Sequence, residues 1–199
     1  MDYMVLVNRD HPLPAGWTEE LCTVKSVNSA GNEVETEQKA YEAYLLLKKD
    51  LADHDGIFLE LDSALRSIDV QQEIMDSFTV KYGKEAAAKM VAPPGCSEQH
   101  TGLALDLNFR LKNDDGSFRN VCSNEDLEKY PEIWEKIHAR LARYGFILRY
   151  PEGKEQLTGY IYEPWHIRYL DNPEAAEEFM SKHGMTMEEW PGTAGNIMK

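Results

Sequence analysis

Three stretches of this sequence concentrate the side chains that can do chemistry: Ser97 to Asp106, Glu163 to His166, and Ser63 to Ser67 with Gln71 a helical turn further on. Asp106 lies among leucines, where an ionised carboxylate is costly unless it is paired or bound to a cation. His166 stands beside Trp165 in a similarly apolar setting. A carboxylate and an imidazole from distant segments, completed by one more ligand, commonly hold a catalytic zinc and leave a fourth position for water. Such an ion brings the pKa of its water to about 7 and polarises a carbonyl. Glu163 precedes His166 by three residues, and Pro164 keeps it out of a helical conformation. A carboxylate held beside such a water is the expected general base, and Arg66 is a candidate to stabilise an oxyanion.

Each residue also has a plainer reading. A buried Asp commonly pairs with Arg or backbone donors, and a His beside Trp commonly packs in a core. Arg66 at a strand–helix junction is commonly a surface cation, and no His-x-x-x-His or Cys-x-x-Cys spacing compels a metal. A nucleophilic Cys96 or Ser97 lacks a His and Asp placed by sequence to activate it.

The elements that must position these groups follow from periodicity. Ala40, Ala43, Tyr44, Leu47 and Leu51 recur at helical spacing up to Gly56, and Ile57 to Leu61 is a short apolar strand. Ile68 to Tyr82 is helical, with Gly83 interrupting before Lys84 to Met90. Pro93, Pro94 and Gly95 force a loop. Gly102 to Phe109 then alternates as a half-buried strand, Leu103, Leu105 and Leu107 on one face and Ala104, Asp106 and Asn108 on the other. A helix is expected over Asp126 to Tyr144 with Gly145 as C-cap. Strands are expected at Val5 to Val7, Phe146 to Tyr150 and Thr158 to Tyr162, then a helix over Glu174 to His183 and a loose end over Pro191 to Lys199. This order implies an α+β fold, a small, mostly antiparallel sheet with flanking helices.

At 199 residues the chain suits one domain, taken here as 1–199. The net charge of −14 argues against nucleic acid or an anionic membrane surface as partner, since both would repel it. Cys22, Cys96 and Cys122 are few and far apart, which fits reduced thiols. No stretch approaches the roughly 18 apolar residues of a membrane span. The first residues show no signal peptide, so a cytoplasmic monomer is the expectation, with export under a leader or anchor outside this sequence as the alternative.

The ordered set of motifs resembles the VanY-type D-Ala-D-Ala carboxypeptidases and dipeptidases of the LAS group of zinc peptidases. The similarity lies in Leu6 to Pro14, Ser63 to Gln71, Pro94 to Asp106, Tyr144-Gly145-Phe146, Arg149-Tyr150-Pro151 and Glu163 to Tyr169. It covers about 5–170, leaving 171–199 as a helical tail. The resemblance implies a hydrolase of cell-wall precursor peptides ending in D-Ala-D-Ala, with Zn2+ as cofactor. Asp106 and His166 would be metal ligands, Glu163 the base and Arg66 the transition-state stabiliser, with Ser97 and Gln71 contacting or supporting substrate. Two departures stand out. Ala64-Leu65 replaces the family's Gly-Tyr before the Arg, and the family's first ligand His falls on Gln99. His100 shares strand parity with Asp106 and is the expected replacement ligand. The alternative is a degenerate relative that binds wall peptides without cutting them.

Overall fold

The computed structural model describes residues 1–181 and 184–191. A hairpin of β1 (Thr23–Val27) and β2 (Glu33–Glu37) comes first and leads directly into α1 (Gln38–Asp55). The Glu37 carboxylate accepts the Ala40 N–H at 2.9 Å, capping the helix. Its buried stripe of Ala40, Tyr44, Leu47 and Leu51 is the one the spacing predicts. Next come β3 (Phe58–Ser63), α2 (Ile68–Tyr82), α3 (Lys84–Met90) and β4 (Ala104–Lys112). Ser67 Oγ caps α2 by accepting the Val70 N–H at 3.2 Å, and Gly83 separates α2 from α3 as expected. The remaining elements are β5 (Phe118–Val121), α4 (Asn124–Leu127), α5 (Pro131–Leu141), β6 (Phe146–Leu148), α6 (Glu155–Thr158), β7 (His166–Tyr169) and α7 (Pro173–Ser181).

The main sheet is built around β4, in the order β3-β4-β7-β6. β3 takes one edge of β4, while the other edge pairs with β7 at its start and β5 at its end; every pairing is antiparallel. The expected α+β class is therefore the observed one. Leu103, Leu105, Leu107 and Phe109 join a core with Leu47 and Leu51 of α1 and Trp134, Ile137 and Leu141 of α5. The alternation along β4 leaves Asp106 and Asn108 on the opposite face, where both line a cleft.

Several expectations are corrected. Val5 to Val7 is not a strand: the carbonyls of Tyr3 and Val5 accept from Arg168 Nη2 at 2.9 and 3.0 Å instead of from a neighbouring strand. The β1–β2 hairpin was invisible because Glu33, Glu35 and Glu37 interrupt any apolar signal. The helix expected over Asp126 to Tyr144 is divided into α4, α5 and a 3-10 turn at Ala142–Tyr144, with Pro131 starting a fresh helix. Phe146 to Tyr150 is a strand only over β6. Thr158 to Tyr162 is no strand, because Thr158 ends α6 and its hydroxyl bonds the carbonyls of Lys154 and Tyr160. The expected tail helix is α7. His183 and all but the first residue of Pro191 to Lys199 lie outside the described residues. Cys22, Cys96 and Cys122 are free thiols, and no helix among the described residues is long and apolar enough to cross a membrane.

Candidate active site

Asp106 is in register with two residues at once, Ser63 of β3 on one side and His166 of β7 on the other. Cross-strand partners share a face, so the three side chains form a row on one wall of a cleft of about 370 Å³. A β-bulge between Leu61 and Ser63 creates the row, since regular pairing would set Asp62 against Asp106, like charges directly opposed. Ser63 Oγ donates to Asp106 Oδ2 at 2.8 Å, and His166 Nδ1 meets Asp106 Oδ1 at 2.8 Å. Burial works to raise the Asp106 carboxyl, but His166, Arg66 and Ser63 outweigh it and hold it below the usual range.

Glu163 enters from the segment before β7, its Oε2 3.8 Å from His166 Nδ1. Burial pushes its carboxyl up to about 7, with His166 pulling down and Asp106 adding to the rise. That suits a group that takes up and releases a proton near neutrality. Arg66 sits at the end of the row, donating to Gln71 Oε1 at 3.0 Å and Ser63 Oγ at 3.3 Å, with Nη2 3.8 Å from Asp106. Gln71 is anchored in turn on the Ala92 carbonyl at 2.8 Å, so it orients the guanidinium. Ser97 lines the same cleft. The structure thus brings Asp106, His166, Glu163, Arg66, Gln71 and Ser97 together.

His100 does not join them. Its Nδ1 donates to the Arg66 carbonyl at 2.7 Å and its Nε2 accepts the Gly95 N–H at 3.1 Å, so both ring nitrogens face away from Asp106 and His166. Burial lowers its imidazole, in keeping with one donating and one accepting nitrogen. The parity argument fails because Glu98–Thr101 is a 3-10 turn, in which successive side chains step around an axis instead of alternating across a strand. Gly102, at φ 72°, then turns the chain into β4. The residue facing Asp106 is Gln99. Its Nε2 donates to Ser63 Oγ at 3.1 Å and to Asp106 Oδ2, while its Oε1 is buried with no hydrogen-bond partner. Among the described residues, no group of three or more His, Cys, Asp or Glu side chains is arranged to hold a metal. Asp106 and His166 supply two donors of the kinds that bind zinc, and the Gln99 atom turned to Asp106 is the amide nitrogen.

Sequence reasoning missed the buried network behind the row. Glu98 Oε1 accepts from Arg149 Nε at 2.7 Å and Arg168 Nη1 at 2.8 Å, and its Oε2 faces His166 Nε2 at 3.3 Å. Burial works to raise the Glu98 carboxyl, but the two guanidiniums and His166 hold it well below the usual range. For His166 burial pushes downward, and Asp106, Glu98 and Glu163 together bring it up to about 10. The Tyr150 ring packs 4.8 Å from the His166 ring. A signal was available: Arg149 and Arg168 stand within apolar runs, where a guanidinium must be paired.

One cleft on the antiparallel sheet thus gathers a carboxylate–imidazole pair, a buried glutamate and an arginine. The family described as VanY, D-alanyl-D-alanine carboxypeptidase, matches residues 33–172. The chain is 34% identical over 194 residues to the putative carboxypeptidase YodJ of Bacillus subtilis (strain 168), covering 94% of this chain and 66% of that protein. Among solved structures, VanYB in complex with D-Ala-D-Ala superposes with a TM-score of 0.73 at 30% identity, covering 99% of each chain. A VanY D,D-pentapeptidase variant from a VanB-type resistance cassette, solved with Zn(II), gives 0.72 at 31% identity, covering 94% of this chain and 97% of that one. The chain belongs to the VanY D-alanyl-D-alanine carboxypeptidase family.

Proposed function

We propose that the cleft binds cell-wall precursor peptides ending in D-Ala-D-Ala and hydrolyses the terminal peptide bond with the help of a zinc ion. The observation that carries this reading is the Ser63–Asp106–His166 row with Glu163 3.8 Å from His166. Asp106 and His166 would hold the ion, which supplies Lewis acidity to the scissile carbonyl and to water when bound. Glu163 takes the proton of the attacking water and passes it to the departing amine of D-Ala. Arg66, held by Gln71 and Ser63, offers its guanidinium to the oxyanion. The net charge of −14 gives an anionic peptide no long-range attraction, so recognition is local to the cleft. Support comes from the family and from the relative solved with D-Ala-D-Ala.

Release of D-Ala from a zinc-supplemented mixture with a peptide ending in D-Ala-D-Ala tests the proposal, with free D-Ala-D-Ala and an L-Ala-L-Ala peptide alongside. Release from the D,D peptide with the L,L peptide left intact is expected. No release, or comparable cleavage of the L,L peptide, overturns it.

A second reading, binding without cleavage, is favoured by one observation: the Gln99 amide bonds Asp106 where the family places an imidazole. It requires an inactive wild type that still binds the peptide in calorimetry, and a Gln99→His variant that gains activity.

A further inference from the structure

We infer that Ile74 and Phe78 of α2, with Met90 of α3, form a side-chain subsite that takes the long aliphatic side chain of the residue preceding the D-Ala-D-Ala pair. This subsite presupposes the cleavage proposed above and adds the part of the peptide that is selected upstream of the cut. Gln71, Ile74 and Phe78 are spaced three and four residues apart, so they share one face of α2. All three line the cleft, and Met90 joins them from α3. Gln71 is the buried residue of α2, held by Arg66 and the Ala92 carbonyl. Ile74 and Phe78 are half-buried, and neither belongs to the hydrophobic core. Folding therefore does not account for their apolar face, whereas apolar side chains opposite a few convergent polar groups are the usual lining of a ligand cleft.

Helix geometry places this face relative to the reacting groups. Gln71 marks the reacting end, since Arg66 joins it to Ser63 of the row. Ile74 and Phe78 follow about 4.5 and 10.5 Å further along the axis, at about 1.5 Å per residue. An extended peptide advances roughly 3.3 Å per residue, so the face spans about one to three residues from the scissile bond. The direction of the peptide follows from the two ends of the cleft. Beyond His166 it is closed by Tyr150 and Tyr160, both buried, with ring centroids 5.0 Å apart. On the side where β5 joins β4, the lining residues Cys122 and Asn124 are exposed, and the cleft is open. A carboxypeptidase releases one residue, so the departing D-Ala fits the closed end and the rest of the chain leaves by the open one. The residue before the D-Ala pair then meets Ile74 and Phe78. A long aliphatic stem gains from burial there, and glycine or a short polar side chain does not.

The test uses N-acetylated X-D-Ala-D-Ala peptides in which X is norleucine, glycine or serine. D-Ala release is measured with the full chain in zinc-supplemented buffer, and binding of the same peptides to Glu163→Gln by calorimetry. The wild type should favour norleucine over glycine by about 10-fold or more in kcat/KM, the scale of burying about two methylene groups. Serine should rank with glycine, and affinities for Glu163→Gln should follow the same order. Ile74→Ser and Phe78→Ser, with folding checked by circular dichroism, should each reduce the norleucine-to-glycine ratio several-fold, mainly through KM for the norleucine peptide. The ratio cancels damage that affects both peptides alike, so a merely structural role would not move it. Equal handling of norleucine and glycine by the wild type overturns the inference, as does a ratio that survives both substitutions. If one variant fails to fold, the other and the wild-type ratio still decide. A norleucine preference in binding without any D-Ala release leaves the subsite standing and removes the cleavage reading, and release without preference does the opposite.

Discussion

Glu163 and His100 show how one side chain's surroundings set its role. Glu163 is buried beside Asp106 and His166, and its carboxyl is pushed up to about 7. Glu163→Gln keeps the shape and the Asp106–His166 pair but cannot accept the proton. Zinc binding should persist while D-Ala release falls by roughly 10²-fold or more. Near-normal turnover in that variant would show that another group is the base. His100 supports Arg66 through the Arg66 carbonyl at 2.7 Å and does not face Asp106. His100→Gln should therefore retain zinc binding while loosening Arg66 and slowing D-Ala release. Loss of zinc from a folded His100→Gln protein would contradict the geometry of the Glu98–Thr101 turn.

At the level of elements, the site depends on how β7 is carried into register with β4, and α5 braces the segment that does so. His138 of α5 donates from Nε2 to the Pro164 carbonyl at 2.9 Å and stacks on Trp134 with ring centroids 5.8 Å apart. Burial pushes its imidazole below the ordinary value, an effect the Pro164 carbonyl opposes. The folded state then binds fewer protons than the unfolded chain around that histidine's free pKa of about 6.5. Its contribution is present above that pH and is lost as pH falls through it. Between about pH 7.5 and pH 5.5 His138 therefore lowers stability to urea, while the raised Glu163 and His166 groups act the other way. The stability of His138→Gln relative to the wild type should rise as pH falls over the same range. Parallel curves for the two proteins would rule out His138 as a source of the pH dependence.

Across the whole molecule, Glu98, Arg149 and Arg168 form a buried charge cluster that ties the chain's ends to the sheet. Arg168 Nη2 holds the carbonyls of Tyr3 and Val5, and Arg149 forms a two-pronged pair with Glu188 at 2.7 and 2.9 Å. Asn8 donates to the same Glu188, so the N-terminal segment and the segment after α7 meet there. The side chains of Glu98, Arg149 and Arg168 are all 0% exposed. Glu98→Ala leaves Arg168 without its carboxylate partner away from water and Arg149 with Glu188 alone, and breaking such a buried pair costs about 3–5 kcal/mol. Chemical unfolding should show that loss, together with weaker zinc binding as His166 loses its Nε2 contact. A stability change below about 1 kcal/mol would mean that solvent or another carboxylate replaces Glu98.

Local pattern carried much of this protein in its sequence. The stripe of α1, the break at Gly83 and the alternation of β4 come from spacings of a few residues. They sufficed to place Asp106 opposite the leucines and to imply an α+β class. The motif order also singled out Asp106, Glu163, His166 and Arg66, which do share one cleft. What tertiary structure decided is everything that depends on register and on the path of irregular chain. The bulge sets Ser63 instead of Asp62 against Asp106, a one-residue choice that no local spacing records. The 3-10 turn sends Gln99 to the cleft and His100 to Arg66, overriding the parity that would hold in a strand. Glu98 finds Arg149 and Arg168 only through contacts between segments far apart in the chain. Short-range periodicity reports which face of an element is apolar. Which polar groups meet across elements is set by long-range pairing, and that is decided only when the sheet closes.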